Sequence, residues 1–112
     1  MLLKPWAAFS LLALAALLVA AAFRFAELDR RPMHNDEAVN AVKFGQLWSG
    51  GGYRYDPDEY HGPTLHYLTA AWCRLTGAPG YRELDETRLR QVTALAGVLL
   101  VGAVLLWRQR LG

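Results

Sequence analysis

Two neighbouring acids, Asp36 and Glu37, stand two and three residues after His34, at the point where a helical hydrophobic pattern begins. Asn35 can cap such a helix, and both carboxylates then face the positive end of its dipole. The plain duty of acids in a first turn is stabilisation, about 0.3–1 kcal/mol each. The chemical duty is that of a general base, which would take the proton from a hydroxyl. Asp36 and Glu37 are therefore the candidate catalytic pair. His34, directly before them, could orient the acid, bind a phosphate or cap the helix.

A second cluster runs from Tyr53 to Pro63, YRYDPDEYHGP. Asp58 and Glu59 fit a solvated turn. Tyr60 and His61, held by the rigid Gly62-Pro63 step, join His34 as candidate substrate-binding residues. Tyr53, Tyr55 and Tyr60 could stack on the flat face of a ligand or anchor at a membrane interface. Oxygen-rich clusters suit Mg²⁺ or Mn²⁺ and mixed His and carboxylate sets suit Zn²⁺, yet no H-E-x-x-H spacing is present. No motif implies a cofactor, and a divalent metal stays open.

Other machinery is missing from the sequence. It contains no G-x-x-x-x-G-K-[ST], no strand-borne G-x-G-x-x-G and no G-x-S-x-G elbow. Gly50-Gly51-Gly52 reads as a turn. The single cysteine, Cys73, excludes an internal disulfide and any multi-cysteine metal site, and its apolar neighbours suit a packed thiol.

The elements that must hold these residues follow from the distribution of charge. The chain has 112 residues, 54% of them hydrophobic, and a mean hydropathy of only +0.10. That average conceals two apolar blocks around a polar one. All acids lie between Glu27 and Glu86, whereas Pro5 to Phe23 and Gln91 to Trp107 carry no charge. At about 1.5 Å per residue the first run can cross a hydrocarbon core roughly 30 Å thick. The second is slightly shorter, and Arg88, Arg90, Arg108 and Arg110 at its flanks can snorkel outward to extend it. Trp6, Phe23, Phe25 and Trp107 fall where interfacial rings belong.

The expectation is an all-α membrane protein with two transmembrane helices flanking a loop with two short juxtamembrane helices. A cleaved signal peptide is the rival for the first run, given Lys4 and Ala20-Ala21-Ala22, and two helices buried in a larger soluble core are the rival for both. Lys4, Arg108 and Arg110 favour cytoplasmic ends, which puts the loop outside. Arg24, Arg30, Arg31, Arg88 and Arg90 pull the other way, although a loop of about 60 residues translocates largely regardless of charge. The segments are 1–26, the first span with a short cytoplasmic start; 27–84, the external loop; and 85–112, the second span and cytoplasmic end. Within the loop one helix should start at Asn35 or Asp36 and end near Trp48. A second should run from Pro63 to before Gly77, with Leu65, Leu68, Trp72 and Leu75 as an apolar face that rests in the interface or packs on further membrane helices. Asp85-Glu86-Thr87 should open the last helix, to about Trp107. Arg24, Arg30, Arg31, Arg82, Arg88 and Arg90 could contact lipid phosphate, or simply snorkel. A net charge of +2 with a nearly balanced loop gives no sign of nucleic-acid binding.

The order of an apolar span, MHNDEAVNAVKFGQL, a glycine turn, YRYDPDEYHGPTLHYLTA and the TRLRQVTALAGVLL span resembles the N-terminal part of polytopic lipid-dependent glycosyltransferases. It is similar to the dolichyl-phosphate-mannose-protein mannosyltransferase superfamily, of GT-C fold, and most to its branch described as flippase-activity-associated in protein N-glycosylation. In that superfamily an acidic motif in the first external loop supplies the base, here Asp36 with Glu37. The proline-containing start of the next juxtamembrane helix is matched by His61, Gly62 and Pro63. The resemblance implies a partial GT-C fold in the cytoplasmic (inner) membrane, multi-pass, acting on a polyprenyl-phosphate-linked sugar. Members of that superfamily are much longer and carry many more spans, which supply most of the substrate cavity. The expectation is therefore a fragment, inactive alone unless missing downstream helices or other chains complete it. The alternative is a non-catalytic scaffold or accessory protein in lipid-linked sugar handling.

Overall fold

The computed structural model describes residues 4–59, 61–78 and 80–111, so Tyr60 lies outside the described residues. Its regular elements are helical, with no strand among the described residues: α1 Pro5–Phe25, α2 Asn35–Gln46, α3 Thr64–Leu75 and α4 Glu86–Leu111. An irregular wide turn, Leu47–Gly51, follows α2, and a single 3₁₀ turn, Tyr81–Glu83, precedes α4. The chain divides into two compact units, one made of residues 1–27 and 93–112, the other of residues 28–92. The loop unit thus extends past residue 84 and takes in the first turns of α4.

In the first unit, α1 and α4 are long and apolar enough to cross a membrane. Only 6% and 17% of their most apolar windows are buried, so neither is a core helix of this chain's own fold. Trp6, Leu12, Leu18 and Phe23 on α1 and Leu99, Leu100, Leu106 and Trp107 on α4 are exposed. That much apolar surface is suited to lipid as solvent and unsuited to water. Pro5 opens α1 at a position where its missing N–H costs nothing.

The second unit is built on a small core of Phe44, Ala70 and Cys73, joining α2 to α3, with Leu47, Trp48, Ala78, Tyr81, Leu84 and Leu89 packed around it. Two side-chain bonds tie α3 to the start of α4: Trp72 Nε1 donates to Gln91 Oε1 at 2.9 Å, and Arg88 Nη1 donates to Thr76 Oγ1 at 2.6 Å. α3 ends where Gly77 takes a φ of +63°, a conformation that other residues reach only with strain. Its start differs by one residue from the expected one, with Pro63 as cap and Thr64 first in the helix. The inward face of α3 is His66, Thr69, Ala70 and Cys73. Leu68 and Leu75, from the apolar set marked in the sequence, point outward at 51% and 82% exposure. The apolar set is thus split, with Leu65 and Trp72 half-buried and Leu68 and Leu75 outward, while the fully buried positions are small or polar residues.

Close packing of α2 depends on the absence of a side chain at Gly45. A Cβ there would lie 2.5 Å from Cζ of Tyr81, whose hydroxyl donates to the Ala41 carbonyl at 2.8 Å. Gly45→Ala should therefore lower stability by about 1–3 kcal/mol through overpacking, although alanine in a helix interior is favoured by about 1 kcal/mol. The expected result is a lower thermal midpoint, with the loss caused by Gly45→Ala smaller in a Tyr81→Ala background than in the native one. A midpoint raised by Gly45→Ala alone would show that the ring yields freely.

Candidate functional site

The start of α2 is a dense hydrogen-bonded junction. His34 is the N-cap residue, with extended backbone angles, and its Nδ1 accepts weakly from the Asp36 N–H at 3.4 Å. Glu37 Oε2 reaches back to accept from the His34 N–H at 3.0 Å. This is the reciprocal logic of a capping box, with a histidine where serine or threonine usually stands.

Glu37 is also gripped from α4. Arg90 Nη2 donates to Glu37 Oε2 at 2.8 Å and Arg90 Nε to Oε1 at 3.3 Å, a two-pronged, charge-assisted pair. The same guanidinium donates to the carbonyls of Leu28, Arg31 and Pro32. Arg90 is 7% exposed, so this buried cation fixes both the entry segment and the first turn of α2. Arg31 adds a looser pair to Glu37 at 3.9 Å. The Arg90 hydrogen bond, then the His34 N–H, hold the Glu37 carboxyl below the usual carboxylate range, against a smaller upward push from burial.

Asp36 is placed differently. Its side chain is 71% exposed, and its Oδ2 lies 3.7 Å from Nδ1 of His34, itself 75% exposed. The two acids adjacent in sequence are thus divided in duty: Glu37 is engaged by the fold, and Asp36 projects from a fixed helix start. His34, Asp36 and Glu37, nearly contiguous in the chain, share the start of α2, with His34 as its cap.

His61 belongs to another group. Tyr53 donates its hydroxyl to the His61 carbonyl, and the Tyr53 ring stacks on His66 of α3 with centroids 5.6 Å apart. Lys43 of α2, with a side chain 13% exposed, lies 4.0 Å from Asp56 in the same cluster. Lys43 is seven residues beyond Asp36, about 10 Å along the helix, so the two clusters occupy opposite ends of α2. Between α2 and the segment after the glycine turn runs an open groove of about 490 Å³, lined in part by Val39, Val42, Gln46, Tyr55 and Glu59. Among the described residues no group of three or more His, Cys, Asp or Glu converges as a metal site.

Sequence reasoning missed two members of this architecture. Arg90 was expected at the lipid interface, but it is buried against Glu37 and backbone carbonyls. His66 is marked by no motif or spacing, though it is 1% exposed at the heart of the second cluster. A charge at the very edge of an apolar run was the available signal for Arg90, and it suits snorkelling equally well. Cys73 is fully buried, and desolvation pushes its thiol pKa up, as suits a packed rather than a nucleophilic group. No family model, curated protein or solved structure matches this chain.

Proposed function

We propose that this chain is the N-terminal part of a membrane glycosyltransferase that transfers a sugar from a polyprenyl-phosphate donor to an acceptor on the external face of the cytoplasmic membrane. Asp36 is the base. The observation that carries this reading is the separation of the two acids: the Arg90 and Glu37 pair immobilises the helix start, and Asp36 stands exposed upon it. The sequence resemblance supports the same assignment, as does the order along the chain, in which the loop segment follows one apolar stretch of membrane-spanning length and precedes another.

In the reaction the acceptor hydroxyl gives its proton to the Asp36 carboxylate while its oxygen bonds to the sugar C1. The C1–O bond to phosphate breaks, and the polyprenyl phosphate leaves with the electron pair. His34, beside Asp36, would restrict the carboxylate's orientation. The test is transfer of labelled sugar from a polyprenyl-phosphate donor, in membranes where the gene is expressed in its native context. Asp36→Asn should remove transfer while membrane insertion is unchanged; full turnover by that variant would defeat the assignment of Asp36 as base, and transfer that does not depend on this chain at all would favour a non-catalytic scaffold.

A further inference from the structure

Residue His66 presents an anomaly that the proposed reaction does not use. Its side chain is buried, and its Nε2 has no hydrogen-bond partner among the described residues. A buried polar atom left in this way costs stability, and a second charge there would cost far more. The groups facing it from its surroundings are Tyr53 and His61 from the loop segment and Lys43 from α2, the last paired with Asp56. Apart from Asp56, which is paired with Lys43, these groups are a phenol, a cation and a second histidine, so an imidazolium formed here would meet Lys43 and His61.

What His66 supports is equally specific. The Tyr53 ring covers it, and Tyr53 in turn holds the His61 carbonyl, so the segment carrying Tyr53, Asp56 and His61 is laid over a neutral imidazole. Tyr55, Asp56 and Glu59 of that segment form one wall of the open groove against α2.

We infer that His66 is an acid-sensitive latch: its protonation releases the segment carrying Tyr53 and Asp56 from α3 and so remodels the groove beside α2. The direction follows from linkage. Burial first, then His61 and Lys43, lower the His66 pKa in the closed arrangement. The open arrangement, with its imidazole in water, binds the proton more readily, so acid favours opening. Each unit by which the closed value lies below the open one changes the closing equilibrium about tenfold.

Amide hydrogen exchange at residues 53–59, measured on the full chain in lipid nanodiscs and corrected for intrinsic rates, tests this. Protection should fall severalfold as pH is lowered from roughly 7 to 5. His66→Gln should flatten the profile, whereas His61→Gln should retain it. A flat profile in the native chain overturns the latch, as does a response that persists in His66→Gln or vanishes in His61→Gln. The chain has three histidines, so His34→Gln with His61→Gln leaves His66 as the last one. Should His66→Gln fail to fold, the imidazole resonance of that double variant must titrate together with the 53–59 amides; loop opening without ring titration is the overturning result.

Discussion

Replacing Arg90 by alanine should destabilise the loop unit by about 2–4 kcal/mol, the largest structural effect expected from a single substitution in this chain. Breaking a buried ion pair from one side costs about 3–5 kcal/mol, and the lower range reflects a Glu37 side chain that is 33% exposed. The loss is compound. Glu37 forfeits its forked partner, and the carbonyls of Leu28, Arg31 and Pro32 lose their donor together. Arg90→Lys keeps the charge, but a single ammonium cannot hold two carboxylate oxygens and three carbonyls, so it should recover only part of the loss. Hydrogen exchange of α2 amides in nanodiscs reads this directly, because protection reports the free energy of local opening. Native protection in Arg90→Ala would show that the helix start holds without the guanidinium.

The same pair predicts an acid limb. The folded Glu37 carboxyl lies below its ordinary value of 4.5, so the unfolded state binds the proton more readily. Its contribution is complete above the unfolded value and fades as pH falls through the folded one. Arg90→Ala should flatten that limb. His66 has the same sign, with a window that begins higher, near an unfolded value of about 6.5, so two acid transitions should separate along the pH axis.

How far the sequence reveals this arrangement depends on the range of the interactions involved. The helices are legible because their signals are local: Pro5, the acids after His34, Pro63 and Glu86 open them, and Ser49 to Gly52 and Gly77 close the two in the loop. The apolar runs of α1 and α4 are equally plain. Arg90 and His66 are not, since their meaning lies in partners 53 and 13 positions away, Glu37 and Tyr53. An arginine at the margin of a span suits lipid phosphate as well as it suits a carboxylate, and nothing local distinguishes them. The inner face of α3 was obscured for another reason. It consists of His66, Thr69, Ala70 and Cys73, a mixture of small, polar and thiol side chains that a search for large apolar residues at helical spacing passes over.

Asp36→Asn should reduce sugar transfer by about 10²–10⁴-fold, the range for loss of a positioned general base, and leave the fold nearly untouched. Its exposed side chain makes a loose 3.7 Å approach to His34, and an asparagine keeps a helix-start oxygen. Glu37→Gln should do the reverse. It places an amide against Arg90, leaves a buried cation without its counter-charge and loosens the first turn of α2, so stability falls. Transfer then falls only as far as the displaced helix start misdirects Asp36, and Glu37→Asp should restore little because the shorter acid cannot span His34 and Arg90 together. Comparing the two variants for both α2 protection and transfer rate separates chemistry from scaffolding at adjacent positions. If Asp36→Asn lowered protection as much as Glu37→Gln, the exposed acid would be a structural residue. If Glu37→Gln abolished transfer with protection intact, the base would be Glu37, acting from within its pair with Arg90.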